Sequence, residues 1–469
     1  MTWCCGCRAT DARARCLAGE TARPACVLAA GRWPGRWSAF AALLLALLAA
    51  PARATSQQLA LHPVAGATAT AVGVLFPKGF DDDPDGRSGL AAALASARLA
   101  QARGACGPLL ASGALVGGDF ALVFAVLAPD RSGEGAAFLG GACGDGSGLA
   151  DDALQLVVAR AALAADDAEH LYPGDVLLTR ARQRLFGGTP RSRPPAGRAQ
   201  ECMTLTPAQV RAALAVDVGA RAAALGAVDE AWADALGAAL RGVGPCPPRP
   251  PAAPQAGPAS RPATVDVSAR TDAPYVAAAF AAPGAAERPA FALGLEVARA
   301  RAFARWRLRG QELFARAPFV RWSWLRAEPV AVVCRRGEDG VRLLPGQRPE
   351  ASGEDEEAAV RAEVEALLAA MASTPPSAAE LSAAREALRG QLGLPAPGAA
   401  APWAAEPATL PGKLQALLLG AFHEVDVEAL ERVSAARVGE VMAAALGEGR
   451  SSYHVLAPRQ RAGIGFRSR

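Results

Sequence analysis

Residues 245–262 read PCPPRPPAAPQAGPASRP, and this segment decides how the rest of the chain can be organised. Each proline removes a backbone donor and fixes φ, so neither a helix interior nor a central strand can be built from it. A run of this kind is a semi-rigid, solvated linker. It divides the chain beyond residue 54 into halves of similar length, 55–244 and 263–460, with a tail at 461–469. Each half opens in the same way. In the first, Ala67–Phe76 (ATATAVGVLF) is a β-rich run, followed by the polar turn DDDPDGRSG and a helical stretch over Leu90–Arg103. In the second, VDVSAR and APYVAAAFAAPG precede a helix over Arg288–Arg309. The halves also close alike. Asp175–Phe186 and Thr206–Leu214 read as helices, the latter with Thr206 as N-cap and Pro207 at the first helical position. Glu354–Ala372, Ser377–Leu392 and Val427–Leu446 are amphipathic, and Ser451–Ala457 (SSYHVLA) reads as a last strand. This order predicts an α+β chain of two homologous domains, each a mostly antiparallel sheet covered by helices.

The chain has 469 residues and a formal charge of +4, but that charge is not spread evenly. Residues 1–54 hold seven arginines against Asp11 and Glu20, which leaves the remainder slightly acidic and gives no nucleic-acid footprint. The one long apolar run, Trp37–Ala50 (WSAFAALLLALLAA), follows Arg32 and Arg36 and precedes Ala52-Arg53-Ala54. A charged start, a short apolar middle and a small-x-small site make Arg32–Ala54 a signal peptide cleaved after Ala54. The run is shorter than the roughly 20 apolar residues of a transmembrane helix. Export to the periplasm or beyond, with no membrane span after cleavage, is the expectation. Five of the ten cysteines, Cys4, Cys5, Cys7, Cys16 and Cys26, lie in this leader, where the CCGC cluster reads as part of a discarded segment. Of the other five, an oxidising compartment suggests Cys106–Cys143 and Cys202–Cys246 as disulfides, with Cys334 left over.

The segment from residue 172 to 214 reads YPGDVLLTRARQRLFGGTPRSRPPAGRAQECMTLTPAQVRAAL. It resembles a signature of the pitrilysin, insulinase and mitochondrial-processing-peptidase family, in which a helix ending in a bulky residue leads to G-x-P-x-x-R-P-x-x-G and then L-T-x-x-x-V. Gly187, Gly188, Pro190, Arg193, Pro194, Gly197, Leu205, Thr206 and Val210 stand at the matching places. PPSAAELSAAREALRGQ at 375–391 is similar to a late helix pair of the family's second domain. Residues 425–446 with 453–458 are similar to its closing helix and strand. The resemblance covers residues 60–460.

Active members of that family carry H-x-x-E-H on the first helix after a turn ending in glycine, two histidines holding zinc and the glutamate activating water. The matching stretch here is GLAAALASA, from Gly89 to Ala97. The resemblance puts Ala92 and Ser96 at the ligand positions and Ala95 at the base position, and methyl groups neither bind zinc nor accept a proton. The third ligand, a downstream glutamate, would fall near Ala164–Asp167, with Asp166, Asp167 and Glu169 close by. The chain has four histidines, His62, His170, His423 and His454, none within a helical turn of another. The arginine and tyrosine with which the family's second domain holds substrate find no evident match, Tyr275 and Tyr453 being the only tyrosines past the linker. What the resemblance implies is a non-catalytic family member without metal or other cofactor. Its expected partners are a zinc-bearing metallopeptidase paralogue in a hetero-oligomer and extended peptides bound by strand addition. The alternative is an independent structural or binding protein of the cell envelope.

Three further motifs carry weaker signals. Asp81–Gly86 (DDDPDG) matches the opening of a calcium loop, but Ala92 stands where a bidentate glutamate belongs, so a solvated strand-to-helix turn is expected. Gly140–Gly148 (GGACGDGSG) lacks the G-K-[ST] of a phosphate loop and reads as a flexible loop. His170 beside Glu169 reads as structural, and no G-x-S-x-G elbow is present.

Overall fold

The computed structural model describes residues 58–64, 66–170, 173–216, 218–247, 264–268, 275–307, 320–323, 326, 328–336, 353–391, 409–446 and 451–458. The expected signal peptide, the five leader cysteines, the linker beyond residue 247 and the tail lie outside the described residues. The described residues form one compact unit.

Two five-stranded sheets organise that unit. The first contains β1 (Leu59–Pro63), β2 (Thr70–Phe76), β3 (Ala111–Val116), β4 (Ala121–Leu127) and β5 (Arg221–Gly226), in the order β1-β5-β2-β4-β3. The second contains β6 (Thr264–Ser268), β7 (Tyr275–Ala281), β8 (Val320–Arg321), β9 (Val330–Arg336) and β10 (Ser451–Pro458), in the order β6-β10-β7-β9-β8. Strand for strand the two orders are the same. In each, the first strand pairs parallel with the last and every other pairing is antiparallel. Identical topology on both sides of the linker is the structural mark of a duplicated α+β unit.

The central strands are buried along their whole length, as β2 and β4 show, so each sheet needs cover on both faces. In the first half the helices are α1 (Leu90–Ala105), α2 (Ser132–Cys143), α3 (Asp151–His170), α4 (Pro173–Phe186), α5 (Ala199–Met203), α6 (Pro207–Leu214) and α7 (Glu230–Ala239). Phe138 and Leu139 of α2 and Trp232 and Leu236 of α7 pack on Val72, Val74, Val123 and Ala125 of the first sheet. The second half supplies α8 (Arg288–Arg307), α9 (Gly353–Ser373), α10 (Ala378–Gln391), α11 (Leu410–Phe422), α12 (Val427–Arg432) and α13 (Ala435–Leu446). Of these, α8, α9, α10 and α13 cover one face of the second sheet.

The remaining two faces are covered by exchange. Leu410, Leu414 and Leu418 of α11 pack on Leu75, Phe120, Leu122 and Phe124 of the first sheet. Reciprocally, Val176, Leu177, Ala181 and Leu185 of α4 pack on Tyr275, Ala277, Val330 and Val332 of the second. Gly73 makes the first exchange possible, because a Cβ there would stand 2.9 Å from Leu414 Cδ2. Each half therefore completes the other's core.

Several sequence expectations need correction. The stretch Val427–Leu446 is two helices, α12 and α13. Arg385 donates to the carbonyls of Leu430 and Val433, and Ser434 Oγ accepts from Arg437 N, so the backbone groups at the break are satisfied without a continuous helix. Gly140–Cys143 is the last turn of α2, not loop, and Gly141 lets that turn approach Ala102 and Ala105 of α1. Neither disulfide is formed, since none of Cys106, Cys143, Cys202 and Cys246 is disulfide-bonded. The helices α1 and α2 run antiparallel, which sets Gly107 against Glu134 and Gly144 against Gln101 and so separates Cys106 from Cys143 along the helix pair. Cys202 is buried beneath Gly89, whereas Cys246 packs at the α11 face of the first sheet.

Candidate functional site

The site is the N-terminal half of α1 and the loops that seat it. Gly89 occupies the N-cap in a left-handed conformation, φ +98°, and has no side chain with which to cap. Asp83, six residues earlier and 4% exposed, does so instead, accepting from Gly89 N at 2.6 Å and Ala91 N at 2.7 Å. Burial pushes its carboxyl up to about 6 although both hydrogen bonds pull the other way.

The other three aspartates of DDDPDG are also engaged. Asp82 accepts from Gly79 N at 2.9 Å, Asp81 pairs with Arg182 at 3.0 Å, and Asp85 pairs with Arg193 at 2.8 Å. The segment is a tethered cap with Asp83 buried in it, more enclosed than the solvated turn expected, and its carboxylates are spent on protein donors.

The G-x-P-x-x-R-P-x-x-G loop supplies those tethers. Arg193 donates to Asp81 O at 2.7 Å as well as to Asp85, and Arg182, 3% exposed, donates to Arg193 O and lies over the Phe80 ring. Gly197, at φ +83°, runs so close to Gly89 that a Cβ there would stand 2.5 Å from Gly89 Cα. Ser88 is held twice, its N–H by Glu201 Oε2 and its Oγ by Arg198 N. Thr206 caps α6 through a full capping box with Gln209. Burial pushes the Cys202 thiol up to about 12, which leaves it unreactive under this turn.

On α1 itself, Ala92 is half-buried, Ala95 is buried and Ser96 is exposed. Leu90, Ala93 and Ala97 face the other way, into a core with Leu154, Val157 and Val158 of α3 and Val210 of α6. At the end of α3, Asp166 pairs with His170 at 3.0 Å, and Glu169 accepts from Ala199 N at 3.2 Å. The structure thus brings the expected third-ligand region to the base of α1, but with its Glu169 engaged at the start of α5. His62, His423 and His454 are elsewhere, on β1, at the end of α11 and on β10. Burial and the nearby Arg184 and Arg180 hold the His454 imidazole down to about 4, and it shares a hydrogen bond with Ser452 Oγ. Among the described residues no group of three or more His, Cys, Asp and Glu side chains could hold a metal ion. The first two turns of α1 offer one hydroxyl and no imidazole or carboxylate, so the donor set here does not fit zinc.

Beside Ala95, a cleft of about 540 Å³ opens between α1, α6 and the Lys78–Arg87 loop. Sequence reasoning did not find it. It is formed where alanines of α1 and α6 face each other, a gap that only the packing reveals.

A duplicated 1-5-2-4-3 sheet pair with exchanged helices, and a glycine-capped first helix locked by an R-P loop, define a two-domain α+β scaffold. It is the pitrilysin-like fold of the M16 peptidases, as solved structures establish. A protease from Helicobacter pylori matches with a TM-score of 0.63 at 14% identity, over 85% of this chain and 96% of that one. A peptidase M16 inactive domain from Pseudomonas fluorescens matches with 0.59 at 16% identity, over 87% and 96%. Pitrilysin matches with 0.58 at 12% identity, over 86% of this chain and 44% of that longer one. No protein-family profile and no curated protein sequence matches the chain. No helix among the described residues is long and apolar enough to cross a membrane.

Proposed function

We propose that this chain is an exported, non-catalytic M16-type protein that binds extended peptides and serves a zinc-bearing paralogue as its partner. The observation that carries the reading is the contrast within one helix. The apparatus that seats α1 is complete, from Asp83 to Arg193 and Gly197, while the sequence resemblance assigns Ala92, Ala95 and Ser96 to the positions of two zinc ligands and the catalytic base. Peptide binding needs no metal on this scaffold. The strand β3 is an edge of the first sheet, hydrogen-bonded to β4 alone among the described strands and next to α1, so an added strand can find main-chain partners there. Export rests on the leader, whose cleavage after Ala54 remains part of the proposal. The similarity to an inactive M16 domain supports the non-catalytic reading without identifying a partner.

The test is metal content together with peptidase activity, on protein beginning at Thr55, with a quenched peptide library and with or without a zinc-bearing paralogue. No stoichiometric zinc, and cleavage only in the mixture, is the expected result. Stoichiometric zinc with chelator-sensitive cleavage by the chain alone would overturn the reading.

A further inference from the structure

The cleft beside α1 has a composition that selects its occupant. Its walls are the alanine-bearing faces of α1 (Ala91, Ala95) and α6 (Ala212, Ala213), closed at the end of the first sheet by Phe76. Nearly all of this lining is apolar. Of the polar groups that reach the cleft, most are already engaged. Asp82 accepts from Gly79 N, Asp83 from Gly89 N and Ala91 N, and the Gln209 carbonyl from Thr206 N. Arg98 donates to Ala142 O and lies over the Phe76 ring at 4.0 Å.

Lys78 and Arg87 are the exceptions. Both line the cleft, both are exposed, and neither makes a side-chain hydrogen bond or ion pair among the described residues. Two cations without a side-chain partner therefore stand at the rim, beside the exposed carboxylate of Asp82, above a largely apolar slot. The exposed Val216 extends the apolar lining to the mouth. At about 540 Å³ the space is of the size that encloses small ligands. Of the three positions that the resemblance assigns to the zinc site, Ala95 lines the cleft and Ala92 and Ser96 do not, so the cleft flanks that site on one side.

We propose that this cleft binds a single-chain amphipathic anion, an acyl chain in the slot with its carboxylate on Lys78 and Arg87. The chain would displace water from the apolar walls, and the headgroup would satisfy two cations the protein leaves free. The proposal is independent of whether a peptidase partner exists.

The test is titration calorimetry of the full chain with dodecanoate, dodecyl maltoside and a short peptide ending in leucine. Dodecanoate is expected to bind one to one, and the neutral detergent at least about tenfold more weakly. The double variant Lys78→Glu, Arg87→Glu changes only exposed side chains and is expected to weaken dodecanoate by about tenfold or more. Ala213→Leu, which narrows the slot, is expected to do the same. No binding, or dodecanoate affinity unchanged in both variants, overturns the proposal. So does equal affinity for the neutral detergent, or displacement of dodecanoate by the peptide at lower concentration, which would make the occupant a peptide terminus.

Discussion

Replacing Asp83 by Asn should change how the stability of this protein depends on pH, and the sign follows from burial. The Asp83 carboxyl is pushed up from 3.8 to about 6 by its desolvation, against the pull of two backbone donors. Between those pH values the folded chain holds a proton that the unfolded chain releases. The folded state therefore loses stability as pH rises through the window. From about pH 4.5 to about 6, at ~1.36 kcal/mol per pH unit, the loss is about 2 kcal/mol, complete by about pH 7.5. Asn is neutral throughout, and its one carbonyl oxygen can serve only part of what the carboxyl holds, which costs about 1–3 kcal/mol where the wild-type group is protonated. Asp83→Asn should accordingly be clearly less stable than wild type at about pH 4.5, and the gap should shrink by about 2 kcal/mol by about pH 7.5. Equilibrium urea unfolding followed by far-UV circular dichroism at a series of pH values measures it. Wild-type and variant curves that run parallel within ~0.5 kcal/mol would refute both the capping assignment and the burial of the charge.

One titration and three other substitutions probe the remaining links. His454 is held down to about 4 from 6.5, so it contributes stability above about pH 6.5 that is lost as pH falls, opposite in sign to Asp83. A His454 proton resonance that titrates normally near 6.5 in the folded protein would contradict its burial under α4. Gly197→Ala should cost about 3–5 kcal/mol, since the new Cβ meets the backbone of Gly89 at a positive φ. Gly188→Ala, at φ +79° but in open space, should cost only about 1–2 kcal/mol, and equal losses in urea would remove the close-approach argument. Gly73→Val should cost about 1–3 kcal/mol by pushing α11 off the first sheet. Hydrogen exchange should then speed up over Leu410–Phe422 while α13 is unaffected, and a uniform change across the chain would count against it.

Much of the architecture could be read from period and punctuation. The prolines from 245 to 262 and the repeated opening of each half anticipate two sheets of one topology, and Thr206 and Pro207 announce the start of α6. Other features depend on tertiary choices that local sequence does not encode. Nothing in the α11 stretch says that its leucines belong on the first sheet, or that α4 belongs on the second. The break between α12 and α13 depends on Arg385, which reaches it from α10. Cysteine spacing could not anticipate the antiparallel packing that separates Cys106 from Cys143. For the site, the absence of imidazole and carboxylate from the first turns of α1 was legible, and the cleft beside it was not, because a void is a property of facing surfaces.

The same division bears on how this fold would persist in the non-catalytic role proposed for the chain. Three of the signature residues in and just after the R-P loop have a mechanical task in this structure. Arg193 holds the carbonyl of Asp81, Gly197 admits the Gly89 turn, and Thr206 starts α6. Loss of any of them would leave donors or acceptors exposed at the base of α1, or force backbone into backbone. Ala92 and Ser96 carry no such task, one being half-buried and the other exposed on the helix. Alanine has the best helix propensity, so side chains that would serve only a metal can be replaced there at no cost to the helix, and with a gain of a few tenths of a kcal/mol. Selection for folding would therefore maintain the loop and leave the positions that the resemblance assigns to metal ligands free to change. On this argument an intact R-P loop in an M16-type chain reports that α1 is seated, and the residues on its outer face must be read separately to learn what the helix does.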